Sequence, residues 1–250
     1  MAPHPSSSAV KAFYRTAGQR LVVPDYYPAA IREHLAAEEK LVVRLLNAGK
    51  YTAVIEVGCM HGCLHFPALL QAGVRYLGID IVPESIIAFQ EHLRTRRDTT
   101  GLAEARVLDV SELSLIQTDF IGRRVLVVFP FNSFGNLEHP TVALAEVAKC
   151  GYDPLILTYR ADEVSSAVRA EYYQRCGYTG IQHIVSDQGT CFRAVEGLCT
   201  WAYNRVWLID QLRTAAFVCE EYSLASVGIA YLGRAARKAC GIEACTPVAD

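Results

Sequence analysis

The sequence predicts an α/β fold: a mostly parallel sheet with an antiparallel terminal strand, preceded by an N-terminal helical cap. Three observations predict it. Several short runs are apolar at every position rather than alternating, as strands buried on both faces are. Stretches with helical spacing, roughly 10–15 residues long, separate these runs in the rhythm of βαβ units. Beyond Gly180 that rhythm gives way to strand material joined by short turns, which implies antiparallel pairing.

Taken in order, residues 1–12 are polar and rich in Pro and Ser, and are expected to be disordered. Residues 13–50 form the cap. Its main helix is marked from Pro28 to Leu46 by Ile31, Leu35, Leu41, Val42, Leu45 and Leu46 at helical spacing. Residues 51–234 form the α/β domain, and 235–250 a C-terminal tail. Ala53 to Val57 is a buried strand, followed by a Gly-bearing turn and a helix around Phe66 to Ala72. Tyr76 to Ile81 is the second strand, and Pro83 opens a helix to Arg97, as proline does at a first helical position. Ala105 to Val110 is the third strand and Arg124 to Phe129 the fourth and most apolar. Pro140 to Ala148 is a helix, Pro154 to Thr158 the fifth strand, and Asp162 to Cys176 a longer helix. Gln182 to Val185 and Thr190 to Tyr203 are strand material around a Ser186-Asp187-Gln188-Gly189 turn. A helix from Val206 to Ala215 follows, then strand material ending in Val227 to Leu232.

Composition excludes several classes. Of 250 residues, 52% are hydrophobic, which supports a core without disulfides or metal. Lys and Arg total 24 against 26 Asp and Glu, a net charge of -2, so there is no electrostatic footprint for nucleic acid and no polybasic membrane anchor. No apolar stretch is long enough to cross a bilayer, and the N-terminus lacks the basic start and apolar run of a secretory signal. The nine cysteines are odd in number and several lie in apolar strands, so they read as reduced, small hydrophobes of a cytoplasmic protein.

The most informative segment is Val54-Ile55-Glu56-Val57-Gly58-Cys59-Met60-His61-Gly62. A strand carrying an acid turns on Gly58 and enters a helix beyond Gly62, so backbone N–H groups face an approaching ligand. The second strand ends in Asp80, 22 residues after Gly58, where a carboxylate can accept both hydroxyls of a ribose. The third ends in Asp109-Val110. All three acids are expected at the carboxyl edge of the sheet, where open α/β sheets bind ligands, and the ligand is a nucleoside-bearing small molecule. The dinucleotide fingerprint would need glycine where this chain has Met60 and Cys63.

In these motifs the sequence resembles the small-molecule S-adenosylmethionine-dependent methyltransferases of the Rossmann-like type. The resemblance covers roughly residues 50 to 232. It implies a seven-stranded sheet and S-adenosyl-L-methionine as cofactor. Glu56, Gly58 and Gly62 fit the family's glycine motif, with Met60 replacing its middle glycine. Cys59 and His61 fall within the same turn, His61 toward the methionine portion of the cofactor. Asp80 takes the family's ribose-binding position with Ile81 beside it. Asp109 takes the adenine-contacting position with Val110 beside the ring. Phe129 ends the fourth strand, and Phe131 to Leu137 look like the loop that seats cofactor and substrate.

Several residues have plainer readings. Asp109 with Ser111 also reads as a helix cap, and Asn132 also reads as a turn former. Cys59, His61, Cys63 and His65 alternate across a turn and a helix start, which does not suit a metal.

Methyl transfer is an in-line displacement, so alignment and water exclusion matter more than strong acids or bases. Asn132, able to orient a nucleophile, and His139, at a helix start that disfavours imidazolium, are the candidate catalytic residues. The candidate acceptor wall is aromatic: Tyr14, Tyr26, Tyr27, Phe131, Tyr159, Trp201 and Tyr203. The leading function is methyl transfer to a small acceptor with a hydrophobic body, of the natural-product kind, the last point resting on resemblance alone. Met60 keeps open a fold relative that binds the cofactor for another reaction such as cyclisation, or a non-catalytic partner subunit. Oligomeric state and the acceptor atom are not readable.

Overall fold

In the computed structural model, residues 4–62, 73–95 and 102–235 are described. The expected helix near Phe66 to Ala72, the ends at Arg96 and Arg97, Cys63, His65 and the tail from 236 onward lie outside them. The chain begins with α1 (Ser7–Arg15), so residues 7–12, expected to be disordered, are helical. Its N-cap Ser6 accepts the Ala9 N–H, which satisfies one of the free donors of a helix start. Two 3₁₀ turns (Ala17–Val22 and Pro24–Tyr26) lead to α2 (Ala29–Asn47).

The sheet then builds through β1 (Ala53–Val57), β2 (Arg75–Asp80), α3 (Pro83–Thr95), β3 (Ala103–Val107), β4 (Val125–Phe129), α4 (Pro140–Lys149) and β5 (Asp153–Tyr159). After α5 (Glu163–Arg175) come β6 (Gln182–Ser186), β7 (Gly189–Arg193) and β8 (Cys199–Tyr203), then α6 (Arg205–Thr214), β9 (Phe217–Leu224) and β10 (Gly228–Ala235). The strand order is β3-β2-β1-β4-β5-β10-β9 in a seven-stranded sheet. β1 to β5 pair in parallel, and β10 pairs antiparallel with both β5 and β9. The terminal strand of the chain is thus the antiparallel one. It lies one place in from the edge, and β9 forms the edge itself.

β4 shows why the continuous apolar run reads as a central strand. Val125, Val127 and Phe129 pack into one layer with Ala143, Leu144 and Val147 of α4. Leu126 and Val128 pack into the opposite layer with Leu41, Val42 and Leu45 of α2. Alternate side chains leave on opposite faces, and both faces are covered. Burying one such side chain contributes about 1.5–3 kcal/mol, so the base of the loop beyond β4 is rigid.

Two expectations need correction. The strand material from Gln182 to Tyr203 does not join the main sheet. It forms a second, three-stranded antiparallel sheet in the order β6-β7-β8, inserted between α5 and α6. Thr190 to Tyr203 is also two strands, reversing at Gly197 (φ 101°). The third strand lies earlier than the apolar run suggested, at Ala103–Val107, and leaves Asp109 beyond its end.

Candidate active site

The strand order reverses direction between β1 and β4, and a cavity opens at the carboxyl ends of the strands beside that point. Its empty space, the open mouth included, is about 1260 Å³. The wall on the β1–β3 side carries Val57, Gly58, Met60, Asp80, Ile81, Asp109 and Val110. The wall on the β5 side carries Phe131, Asn132, Tyr159, Tyr172, Tyr173 and Thr200. Ser7, Val10 and Tyr14 of α1 close one flank.

The turn after β1 is pinned to β2, because the N–H groups of Gly58 and Cys59 both donate to Ile79 O, at 2.9 and 3.2 Å. Gly58 has φ 73°, and a Cβ there would sit 3.2 Å from the Cβ of Ser133, so only glycine suits both the backbone and the space. Met60 occupies the left-handed region at φ 48°, a conformation that is uncommon for a side chain of its size. Its N–H donates to Asp80 Oδ2 at 3.0 Å, and Val82 N–H donates to Asp80 Oδ1 at 2.9 Å. Asp80 is 8% exposed. Burial raises its pKa, and the N–H bonds from Val82, Met60 and Ile81 partly counter that. Three N–H bonds leave the carboxylate with remaining acceptor capacity, so this acid can still accept from a ligand.

Asp109 is the N-cap of a 3₁₀ segment (Val110–Phe120), accepting from Ser111 N–H at 2.9 Å and Ser111 Oγ at 2.7 Å. It lines the cavity at the same time. Both readings of this residue therefore apply. Glu56 is different. It is fully buried on the α2/α3 side of β1, where it accepts the Tyr76 hydroxyl at 2.9 Å, and it does not line the cavity. Cys59, His61, Gly62 and Phe129 are not in the wall either. Phe129 faces the core, edge-on to Phe134 at 5.2 Å.

In the loop after β4, Phe131 and Asn132 take successive left-handed conformations, φ 45° and 62°. Such a pair persists only when surrounding contacts over-determine it. Asn132 N–H donates to Leu157 O at 3.0 Å. Its amide donates to Thr200 Oγ1 at 3.0 Å and Trp201 O at 2.9 Å, and accepts from Thr158 Oγ1 at 2.5 Å. Both amide hydrogens and one lone pair of Oδ1 are used within the protein, so this amide holds the loop, and only the second lone pair of Oδ1 is left to orient a nucleophile. Asn132 ties β5, the loop and β8 together. A Cβ on Gly135 would lie 2.0 Å from Trp201 O, so the loop approaches β8 as closely as a backbone can. The Phe131 N–H donates to Glu38 Oε2 at 3.0 Å, and the other oxygen of Glu38 meets His34 Nε2 at 2.9 Å. His34 and Glu38 are both fully buried.

Of the expected aromatic wall, Tyr14, Phe131 and Tyr159 line the cavity. Tyr27 backs Phe131 and Tyr172 at 5.8 Å from each ring, while Tyr26 is not in the wall. Trp201 and Tyr203 stack on one another at 5.9 Å within the core and also do not line it. Sequence reasoning missed Tyr172, Tyr173, Thr200 and Glu138, while Asn136 lies in the loop it singled out. Asn136 donates to the Tyr14 hydroxyl at 2.8 Å, and Glu138 accepts from Ser7 N–H and Oγ at 2.6 and 2.8 Å. These contacts fasten α1 across the cavity, and the Ser7 bonds lower the Glu138 pKa. His139 is at the mouth, its side chain 67% exposed and Nε2 3.6 Å from Glu138 Oε1.

The sheet order and the turn after β1 define the fold of the Rossmann-like S-adenosylmethionine-dependent methyltransferases. Solved structures agree with that assignment. Magnesium protoporphyrin IX methyltransferase from Synechocystis PCC 6803 with bound SAH matches at TM-score 0.60 and 12% identity, over 92% of this chain and 100% of that one. DesVI from Streptomyces venezuelae matches at TM-score 0.54 and 14% identity, over 83% and 94%. The glycopeptide N-methyltransferase MtfA matches at TM-score 0.55 and 14% identity, over 80% and 95%. No protein-family model matches the sequence, and no curated protein matches it. No helix among the described residues is long and apolar enough to cross a membrane.

Proposed function

We propose that this protein is an S-adenosylmethionine-dependent methyltransferase acting on a small-molecule acceptor. The observation that carries the reading is the buried Asp80 carboxylate in the cavity wall, bonded to the turn that starts at Gly58, in a methyltransferase fold. The residues present suit the cofactor. Asp80 keeps acceptor capacity for a ribose hydroxyl, Gly58 removes a side chain from the approach, and Ile81 with Val110 offers apolar faces for an adenine. When bound, the cofactor supplies an electrophilic methyl group.

The chain's own contribution is placement. Glu38 and Asn132 hold the Phe131–Asn132 turn in place, and α1 closes one flank of the cavity. Tyr14, Phe131 and Tyr159 present rings that suit both a flat acceptor and a sulfonium. His139 stands where it can take a proton from an acceptor that arrives protonated. The test is titration calorimetry with S-adenosylmethionine, followed by incubation with a metabolite panel and isotopically labelled methyl donor. Binding and a product heavier by one labelled methyl are expected. Absence of cofactor binding overturns the reading.

A further inference from the structure

α5 buries a face that is polar. Ser165, Ser166, Arg169, Tyr172 and Tyr173 are its buried residues, and Arg169 is fully buried. Among the described residues no carboxylate lies within ion-pair distance of that guanidinium. It donates instead to Thr190 Oγ1 at 3.0 Å, Thr200 O at 3.1 Å and the Tyr173 hydroxyl at 3.4 Å. It also lies over three rings, 4.7 Å from Phe192, 5.3 Å from Tyr159 and 5.9 Å from Tyr173. A buried charge ordinarily has an ionic partner. Here the neighbours are neutral, and Tyr159, Tyr173 and Thr200 also form the cavity wall on the β5 side. The cation stands one side chain behind that wall.

The second observation is independent. Tyr159 is 2% exposed, lines the cavity, and its hydroxyl has no hydrogen-bond partner. A buried hydroxyl left unsatisfied is costly unless a ligand completes it. Burial holds that hydroxyl well above the usual tyrosine range, so it stays a donor.

We propose that the β5 side of the cavity binds an oxyanion carried on a flat body, a phenolate or a carboxylate, with Tyr159 donating to it and Arg169 as its counter-charge. This rests on the methyltransferase reading for its role and names the acceptor class. The titratable groups packed around the pair are Tyr173 and Tyr172 on α5, Tyr27 before α2, the His34–Glu38 pair on α2, and His183 on β6. Glu38 is the carboxylate on that side, and at the Tyr159 hydroxyl the pull of Arg169 outweighs its push. An acceptor oxygen held as its anion has no proton to lose before it takes a methyl group. That fits a wall whose imidazole, on His139, stands out at the mouth.

The test uses the purified full chain and 4-nitrophenol, at a pH one unit below the phenol's own pKa, reading phenolate absorbance on binding. Benzoate is the carboxylate probe, followed by calorimetry. The bound phenol is expected to be at least about half ionised, against about a tenth for the free phenol, its ionisation constant raised about tenfold or more by a cation at this range. Tyr159→Phe should weaken both probes about tenfold, Arg169→Met should abolish the ionisation shift, and Arg169→Lys should restore part of it. Circular dichroism reports whether the Arg169 variants fold, and Tyr159→Phe decides the matter if they do not. Binding of the phenol in neutral form, binding of neither probe, or unchanged phenolate affinity in Tyr159→Phe overturns the proposal. Each titration is run with and without S-adenosylhomocysteine. Oxyanion capture without any binding of that nucleoside would sink the methyltransferase reading and leave this one standing.

Discussion

Replacing Asp80 by asparagine separates ribose recognition from the architecture of the turn. The side chain keeps its shape and one acceptor oxygen, but the new amide nitrogen must face either Met60 N–H or Val82 N–H, which donate to Asp80 at 3.0 and 2.9 Å. A donor then opposes a donor, and the negative charge is gone. One charge-assisted hydrogen bond to a ribose hydroxyl is lost, worth about 1.5–3 kcal/mol. Affinity for S-adenosylhomocysteine should therefore fall about 10- to 150-fold. The fold should respond differently to pH. Burial raises the Asp80 pKa above its ordinary 3.8, so the folded state holds this proton more tightly than the unfolded chain does. The stability from that proton is fully present below 3.8 and is lost as pH rises through the raised value. Asp80→Asn carries no such proton, so its stability should fall less steeply over that window. Calorimetry with S-adenosylhomocysteine, and with an analogue lacking both ribose hydroxyls, measures the binding arm. Thermal melts across acid pH measure the other. Equal affinities for the parent nucleoside would refute the reasoning, as would an equal penalty on the analogue.

Asn132→Ala strands Thr158 Oγ1, Thr200 Oγ1 and Trp201 O, and leaves a left-handed alanine; about 3 kcal/mol of stability should go, read by denaturant melts. Turnover should drop about a hundredfold in single-turnover assays, and Asn132→Gly, which relieves the backbone alone, should recover stability more than rate. His139→Ala should slow transfer only where the acceptor arrives protonated, by no more than about 10²–10⁴, with little loss at pH above the acceptor's pKa; a dead variant at every pH would make His139 essential and overturn the primacy of placement. Gly135→Ala places a Cβ 2.0 Å from Trp201 O and should push the loop off β8, visible as a lower Tm and weaker acceptor binding with cofactor affinity unchanged.

The strands and helices of the parallel half and the glycine turn were legible because periodicity and punctuation carry them. Ala53–Val57 and Pro140–Lys149 fall where apolar runs and a first-turn proline put them. The β5 side of the cavity was less so, and α5 gives the reason. Its buried residues, Ser165, Ser166, Arg169, Tyr172 and Tyr173, keep helical spacing but are polar or amphipathic. A pattern of apolar against polar residues points to the wrong face of such a helix. The His34–Glu38 pair did leave a trace, since both interrupt the buried stripe of α2 between Ile31 and Leu41. Glu56 was misplaced for a simpler reason. Strand alternation sends it to the same layer as Val54, beneath α2, and Tyr76 completes it there. The inserted three-stranded sheet escaped notice because strand content does not say which sheet a strand joins.

That insertion divides the labour of the cavity along the chain. One set of residues, on β1, β2 and the loops that follow β2 and β3, stands where a nucleoside would sit. Another, on α5 and β8, comes from a segment that begins and ends outside the parallel core. Asn132 is the rivet between them, its amide reaching β8 on one side and β5 on the other. On the proposed function, acceptor range is therefore open to redesign, or to evolutionary drift, by exchanging residues 163–203 as a cassette. The condition is that the graft keeps a carbonyl and a hydroxyl where Trp201 and Thr200 now offer them.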